Sequence, residues 1–212
     1  MKILLLWITL GVCAYLLGSI PFGFLIAKAR GVDIRTVGSK NIGATNVFRT
    51  VGKGAGIAAF ALDAGKGFLA VMWGGHLAPQ LFDLDLGLLL QLKVFSGACA
   101  IVGHNWTCFL GFKGGKGVAT SLGVVLGLVW LGALFALGIW MVVVLVSRYV
   151  SLASIIAAAA LGVGVWFLYP QEPAWFLCVL SAFALLAILK HHANIRRLFK
   201  GEENRISWSK KK

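Results

Sequence analysis

Acidic residues are scarce in this chain, with 7 Asp plus Glu against 20 Lys plus Arg in 212 residues. Of the four histidines, His76 reads as external and His104, His191 and His192 lack a carboxylate or thiol partner at ligand spacing, so no metal site is expected. Cysteine is equally sparse. Cys13, Cys99, Cys108 and Cys178 lack C-x-x-C spacing and read as free thiols that pack. No lysine stands in the G-x-x-x-x-G-K-[ST] context of a P-loop, and Gly54-Ala-Gly-Ile-Ala-Ala59 opens an apolar helix without a preceding strand, which excludes a dinucleotide fold. No cofactor is expected. The apolar start, Met1 to Leu17, is followed by no A-x-A cleavage site and reads as a retained first span rather than a secretory signal.

What the chain has in abundance is apolar surface: 59% of residues are hydrophobic and the mean hydropathy is +0.90. This composition describes an all-α polytopic membrane protein, a single integral domain over residues 1–212. The net charge of +13 suits an anionic leaflet or anionic small molecules. Nucleic acid is not expected as a partner, because the cations sit beside membrane spans.

A helix needs about 20 apolar residues to cross ~30 Å of hydrocarbon. Ile3 to Ala27, kinked at Pro21, Gly54 to Trp73, Gly87 to Val102, Leu152 to Tyr169 and Ala174 to Leu189 read as spans. Gly74 to Leu86, with His76, Asp83 and Asp85 but no Lys or Arg, reads as an external connection. Val118 to Val146 is long for one span and short for two. One span there would put the basic tail, Lys190 to Lys212, outside, against the positive-inside tendency. Two short helices turning near Leu128 to Gly132 restore the parity, giving about seven transmembrane helices. Trp73, Trp166, Tyr169 and Trp175 then fall in an outer aromatic belt, and Ser-Lys-Lys-Lys at the end reads as a lipid-seeking tail.

Three polar, glycine-containing islands interrupt the apolar sequence, and this topology gathers them on the cytoplasmic face. The first carries Ser39, Lys40, Asn41, Gly43, Thr45, Asn46 and Arg49; the second Lys113, Gly114, Gly115, Lys116 and Gly117 after His104; the third His191, Asn194, Arg196 and Arg197. Successive backbone N–H groups at glycine-rich turns form anion nests that Lys and Arg reinforce, and phosphate is the natural guest. A loop that merely meets lipid headgroups needs cations but not paired Asn and Ser or glycines beside each lysine. Asp63 and Lys66 fall inside the second span, where an unpaired charge costs about 2.5–3.5 kcal/mol, and their i,i+3 spacing suits an ion pair.

In order, Ser39-x-Asn41-x-Gly43-Ala-Thr-Asn46-x-x-Arg49, Gly103-His104 with Phe112-Lys-Gly-Gly-Lys-Gly-Val-Ala-Thr120, and His191-x-x-Asn194-Ile-x-Arg197-Leu with Glu203 resemble the bacterial acyl-phosphate:glycerol-3-phosphate acyltransferases, the PlsY family. Gly18-Ser-Ile-Pro-Phe-Gly23 and Asp63-Ala-Gly-Lys66-Gly67 are similar to further signatures of that family. The resemblance implies acyl transfer from acyl phosphate to the sn-1 hydroxyl of glycerol 3-phosphate, with membrane lipid as surroundings. It makes Ser39, Arg49, His191 and Asn194 catalytic and lets the run from Gly114 to Gly117 help hold glycerol 3-phosphate. Glu203 is implied to serve structural integrity. Thr107 departs from the proline expected there in many relatives. A carrier of phosphorylated metabolites is the competing reading, although carriers place their site near the midplane.

Overall fold

The computed structural model describes residues 1–81 and 85–206, with residues 77–81 as backbone only. Asp83 and the terminal Trp208 to Lys212 lie outside the described residues. Among the described residues ten α-helices follow one another: α1 (Lys2–Ser19), α2 (Phe22–Lys28), α3 (Ala44–Thr50), α4 (Lys53–Leu81), α5 (Leu86–Asn105), α6 (Val118–Leu128), α7 (Trp130–Ser147), α8 (Val150–Leu168), α9 (Ala174–Leu189) and α10 (His192–Phe199). There is no strand among the described residues.

Among the described residues, five segments are long and apolar enough to cross a membrane: Lys2–Lys28, Lys53–His76, Leu86–Leu110, Trp130–Ser147 and Val150–Leu168. α9 qualifies only together with α10, from which it is bent by 54°. At 1.5 Å per residue, the 11 residues of α6 rise about 16 Å, roughly half the hydrocarbon thickness. The chain is therefore a multi-pass membrane protein. The run from Val118 is broken at Val129, whose φ of −145° and ψ of 78° leave the helical region, between the bounds the parity argument required.

One expectation needs correcting. The connection does not begin at Gly74, because α4 continues to Leu81 before α5 starts at Leu86. The glycines there serve contact rather than turning: a Cβ on Gly74 would lie 2.7 Å from Ser96 Oγ, and one on Gly75 would meet Lys93. Helices in lipid gain little from burying apolar surface and associate where small residues let backbones approach.

The chain separates into two compact units, Met1–Leu128 and Val129–Lys212. In the first, α1 meets α5 where Gly18 abuts the Ala100 backbone and Gly103 abuts Tyr15 and Ser19. α4 likewise meets α6 where Gly123 lies against the carbonyl of Ala64. Between α1 and α2, Pro21 can supply no N–H, and the helix breaks at Ile20. The carbonyls exposed by the break find side chains: Thr107 Oγ1 donates to Ser19 O at 2.6 Å and Lys66 Nζ to Ile20 O at 2.7 Å. Thr107 has a φ of −68°, the angle a proline ring imposes, so its departure from the family pattern keeps the backbone path while adding a hydrogen bond.

In the second unit α7, α8 and α9 pack in sequence through polar ties that would be unsatisfied in lipid. Trp140 Nε1 donates to Ser154 Oγ and Trp166 Nε1 to Ser181 Oγ, both at 3.1 Å. The Tyr169 hydroxyl accepts from the Gly132 N–H in the first turn of α7 at 3.0 Å.

Candidate functional site

The first island is a loop organised by one buried side chain. Asn46, 3% exposed on α3, donates from Nδ2 to the carbonyls of Ile34 (3.1 Å), Val37 (3.1 Å) and Asn41 (2.9 Å). Its Oδ1 accepts from the N–H of Ser39 at 3.0 Å. The amide is thus committed to the loop's own backbone, and the structure gives Asn46 a scaffolding place where the sequence suggested phosphate contact. Gly38, at a φ of +59°, has no room for a Cβ, which would strike Asn46 Oδ1. Asn41 Oδ1 accepts from the Gly43 N–H at 2.9 Å, an Asx turn that leads into α3. Lys40 is held at a φ of +57°, and both it and Ser39 are exposed. Thr45 and Arg49 are half-buried on α3. Upstream, Arg35 bonds both oxygens of Asp33 at 3.0 and 2.8 Å, and this hydrogen bonding holds the Asp33 carboxyl down at about 2.

The second island wraps around the end of α5. The Gly115 N–H donates to the His104 carbonyl at 3.1 Å. A Cβ on Gly114 would enter the His104 and Asn105 backbone, one on Gly115 would strike His104 Nε2, and one on Gly117, at a φ of +78°, would lie 2.6 Å from Asn105 Oδ1. These glycines are therefore required by the close path around His104 and Asn105. Lys113 is exposed and Lys116 half-buried along the same loop. Gly115→Ala must push the loop off the His104 ring. The expected result is a rise of about tenfold or more in the KM for a phosphate-bearing substrate, corresponding to about 1.4 kcal/mol of uniform binding, measured by steady-state kinetics.

The two islands share a base. Ile34, Ile42 and Val47 form a buried cluster with Ala27, Ala55 and Ala59, and Leu110, in the 3-10 turn that opens the second island, packs against it. Beneath lie Asp63 and Lys66, each 2% exposed and 2.7 Å apart, with His104 Nδ1 3.5 Å from Asp63 Oδ1.

The third island belongs to the second unit and is tied by a carboxylate. Glu203 Oε1 accepts from Asn194 Nδ2 at 2.7 Å and Ser151 Oγ at 2.9 Å, while Oε2 accepts from Arg197 Nε at 2.7 Å. Burial works to raise the Glu203 pKa, and the hydrogen bonds from Asn194, Arg197 and Ser151 outweigh it, so the carboxyl is held below its ordinary value. The segment after α10 is secured further by Ile206 N–H bonding to the Arg148 carbonyl at 2.9 Å. His191 is 3% exposed, with Nδ1 2.7 Å from the Ala187 carbonyl. A carbonyl can only accept, so Nδ1 carries the proton.

Sequence reasoning missed Asn105 and Ser151. Asn105 directly follows the Gly103-His104 pair and could have been suspected from that adjacency. Ser151 is 52 residues from Glu203 and gives no local signal.

Comparison with known proteins follows the same lines. A family model described as glycerol-3-phosphate acyltransferase matches residues 8–201. A protein of Rhodospirillum rubrum named glycerol-3-phosphate acyltransferase is 45% identical over 96% of this chain and 94% of its own. One of Geotalea daltonii with the same name is 48% identical over 93% and 96%. Among solved structures, the integral membrane glycerol 3-phosphate acyltransferase PlsY in its glycerol 3-phosphate form superposes with a TM-score of 0.84 at 42% identity, covering 95% of this chain and 96% of that one. Its lysophosphatidic acid form gives 0.82 at 41% identity, covering 95% of each chain.

Proposed function

Because this chain belongs to the glycerol-3-phosphate acyltransferase family and is an acyltransferase, we propose that its donor is a long-chain acyl phosphate and its acceptor the sn-1 hydroxyl of glycerol 3-phosphate. The observation that carries this reading is the likeness, along 95% of the chain, to a PlsY solved in both a glycerol 3-phosphate and a lysophosphatidic acid form, which are acceptor and product of one reaction. The acceptor oxygen attacks the acyl carbonyl carbon, the bond from that carbon to the phosphate oxygen breaks, and lysophosphatidic acid and inorganic phosphate leave.

Acyl phosphate is already activated, so the protein has chiefly to position two anions and to stabilise developing charge. Lys40, Arg49, Lys113, Lys116 and the backbone N–H groups of the two loops supply that in the first unit, with Ser39 orienting the acceptor. His191 and Asn194 are the candidate catalytic residues of the second unit. The proton of the acceptor hydroxyl goes to a phosphate oxygen of the donor, and no strong protein base is needed. Support for dispensing with a protein base comes from the residues five after His76, His104, His191 and His192, which are Leu81, Phe109, Arg196 and Arg197, so no H-x-x-x-x-D arrangement is present. The protein resides in the bacterial cytoplasmic membrane, with the islands and C-terminus facing the cytoplasm, a reading supported by the distribution of Lys and Arg.

Purified protein in detergent is expected to release lysophosphatidic acid and phosphate in equal amounts from acyl phosphate and glycerol 3-phosphate. Turnover of acyl-CoA or acyl carrier protein thioesters in place of acyl phosphate would defeat the donor assignment. Counterflow in sealed vesicles without product would make the protein a carrier. For His191→Ala, loss of kcat on the basic limb by more than about 10³-fold would show that His191, not the donor, takes the proton.

A further inference from the structure

The buried ions of α4 have no part in the reaction just described, yet each reaches toward a different glycine-rich loop. Lys66 Nζ bonds the Ile20 carbonyl at 2.7 Å, at the break enforced by Pro21. α2 starts two residues later, and its Gly23 abuts the carbonyl of Ile42, in the middle of the first loop. The break, the short helix and the loop are therefore in contiguous contact, with an ammonium group bonded at one end. In the other direction Asp63 Oδ1 lies 3.5 Å from His104 Nδ1. His104 is the residue on which the second loop is built, through its carbonyl to the Gly115 N–H and through its ring against Gly115.

We propose that Asp63 and Lys66 are positioning residues that index the first glycine-rich loop against the second, so that both reach the phosphate of glycerol 3-phosphate at once. The identity of that anion rests on the proposed function; the indexing does not. The chemistry favours indexing over simple stabilisation. A buried ion pair adds little net stability compared with apolar residues of similar volume, because desolvation offsets the Coulomb attraction. Its directional bonds nevertheless fix geometry: an apolar pair at these positions would leave the Ile20 carbonyl only the N–H of Phe22, at 3.1 Å, and would remove the tie between α4 and the break before α2.

The variant to make is Asp63→Asn with Lys66→Gln, which removes both charges without leaving one buried alone, and whose shorter side chain at position 66 cannot reach Ile20. Spin labels at Thr36 and Phe109, both exposed and outside the proposed binding groups, report the spacing of the segments that carry the two loops. The four cysteines are replaced by alanine in this background. The double variant is expected to broaden the label-to-label distance distribution and raise the KM for glycerol 3-phosphate about tenfold or more, while the KM for acyl phosphate stays within about twofold. An unchanged distance distribution overturns the proposal, as does a fall in kcat alone, which loss of folded protein would give. If the double variant does not fold, Lys66→Arg keeps the charge and is expected to shift both readouts in the same direction by less; no shift in it counts against the proposal. The distance measurement needs no turnover. Were the unmodified protein to prove inactive toward glycerol 3-phosphate, the functional reading would fall and the indexing would still stand or fall on the spin labels.

Discussion

Asn46→Ala is expected to reduce kcat/KM on the order of 10²- to 10³-fold, because the Asn46 amide holds the backbone of the first island. Its amide makes four hydrogen bonds to loop backbone, three given and one received. Alanine takes the side-chain partner from the carbonyls of Ile34 and Asn41 and from the Ser39 N–H, while the Val37 carbonyl keeps the Lys40 N–H, and each group left unsatisfied costs about 1–3 kcal/mol. The loop then has no reason to keep Ser39 and Lys40 where they are, and misplacement by about 1 Å is enough for a 10²-fold loss. Asn46→Asp separates scaffolding from ligand contact. It preserves shape and the acceptor but turns the donor toward three carbonyl oxygens into a carboxylate, so it should be at least as damaging as alanine. Activity of Asn46→Asp above that of Asn46→Ala, with both proteins folded by thermal unfolding, would return Asn46 to direct contact with substrate.

Glu203→Ala carries the second large effect. Three donors converge on this carboxylate, two of them on buried side chains, and removing one member of a buried charged network typically costs about 3–5 kcal/mol. The loss should appear as a lowered unfolding temperature and as inactivity, because Asn194 loses the bond that fixes its amide. Glu203→Gln should fall between, since one amide nitrogen must then face donors. The pH dependence has a definite sign. The folded carboxyl lies below its ordinary value of 4.5, so its contribution is fully present above that value and is lost as pH falls through the lower folded one. Thermal unfolding followed from pH 7 down to pH 3 should show this acid loss in the unmodified protein and a smaller one in Glu203→Gln. Identical acid slopes would mean that another carboxylate sets acid stability.

Much of the architecture was written in local pattern. Runs of about 20 apolar residues announced the long helices, Pro21 announced the break in the first, and glycines with charge parity placed a turn where Val129 leaves the helix. The i,i+3 spacing of Asp63 and Lys66 anticipated their pairing at 2.7 Å. Local pattern misled at Gly74 and Gly75, because a glycine pair reads equally as a turn and as a surface for a neighbouring helix. Only the presence of Ser96 and Lys93 on α5 decides between them.

The candidate site was legible as a list of residue types and not as a set of roles. The sequence by itself determined that cations, amides and glycines occur in three islands beside membrane spans, since these depend on composition and order along the chain. It could not determine that Asn46 folds its amide inward, that Gly114, Gly115 and Gly117 are small because His104 and Asn105 stand behind them, or that Ser151 meets Glu203. Hydrogen bonds and steric exclusion act over about 3 Å, between groups that the chain brings together only by folding. Which polar side chain holds a loop, and which remains to hold a substrate, is therefore decided by tertiary structure alone.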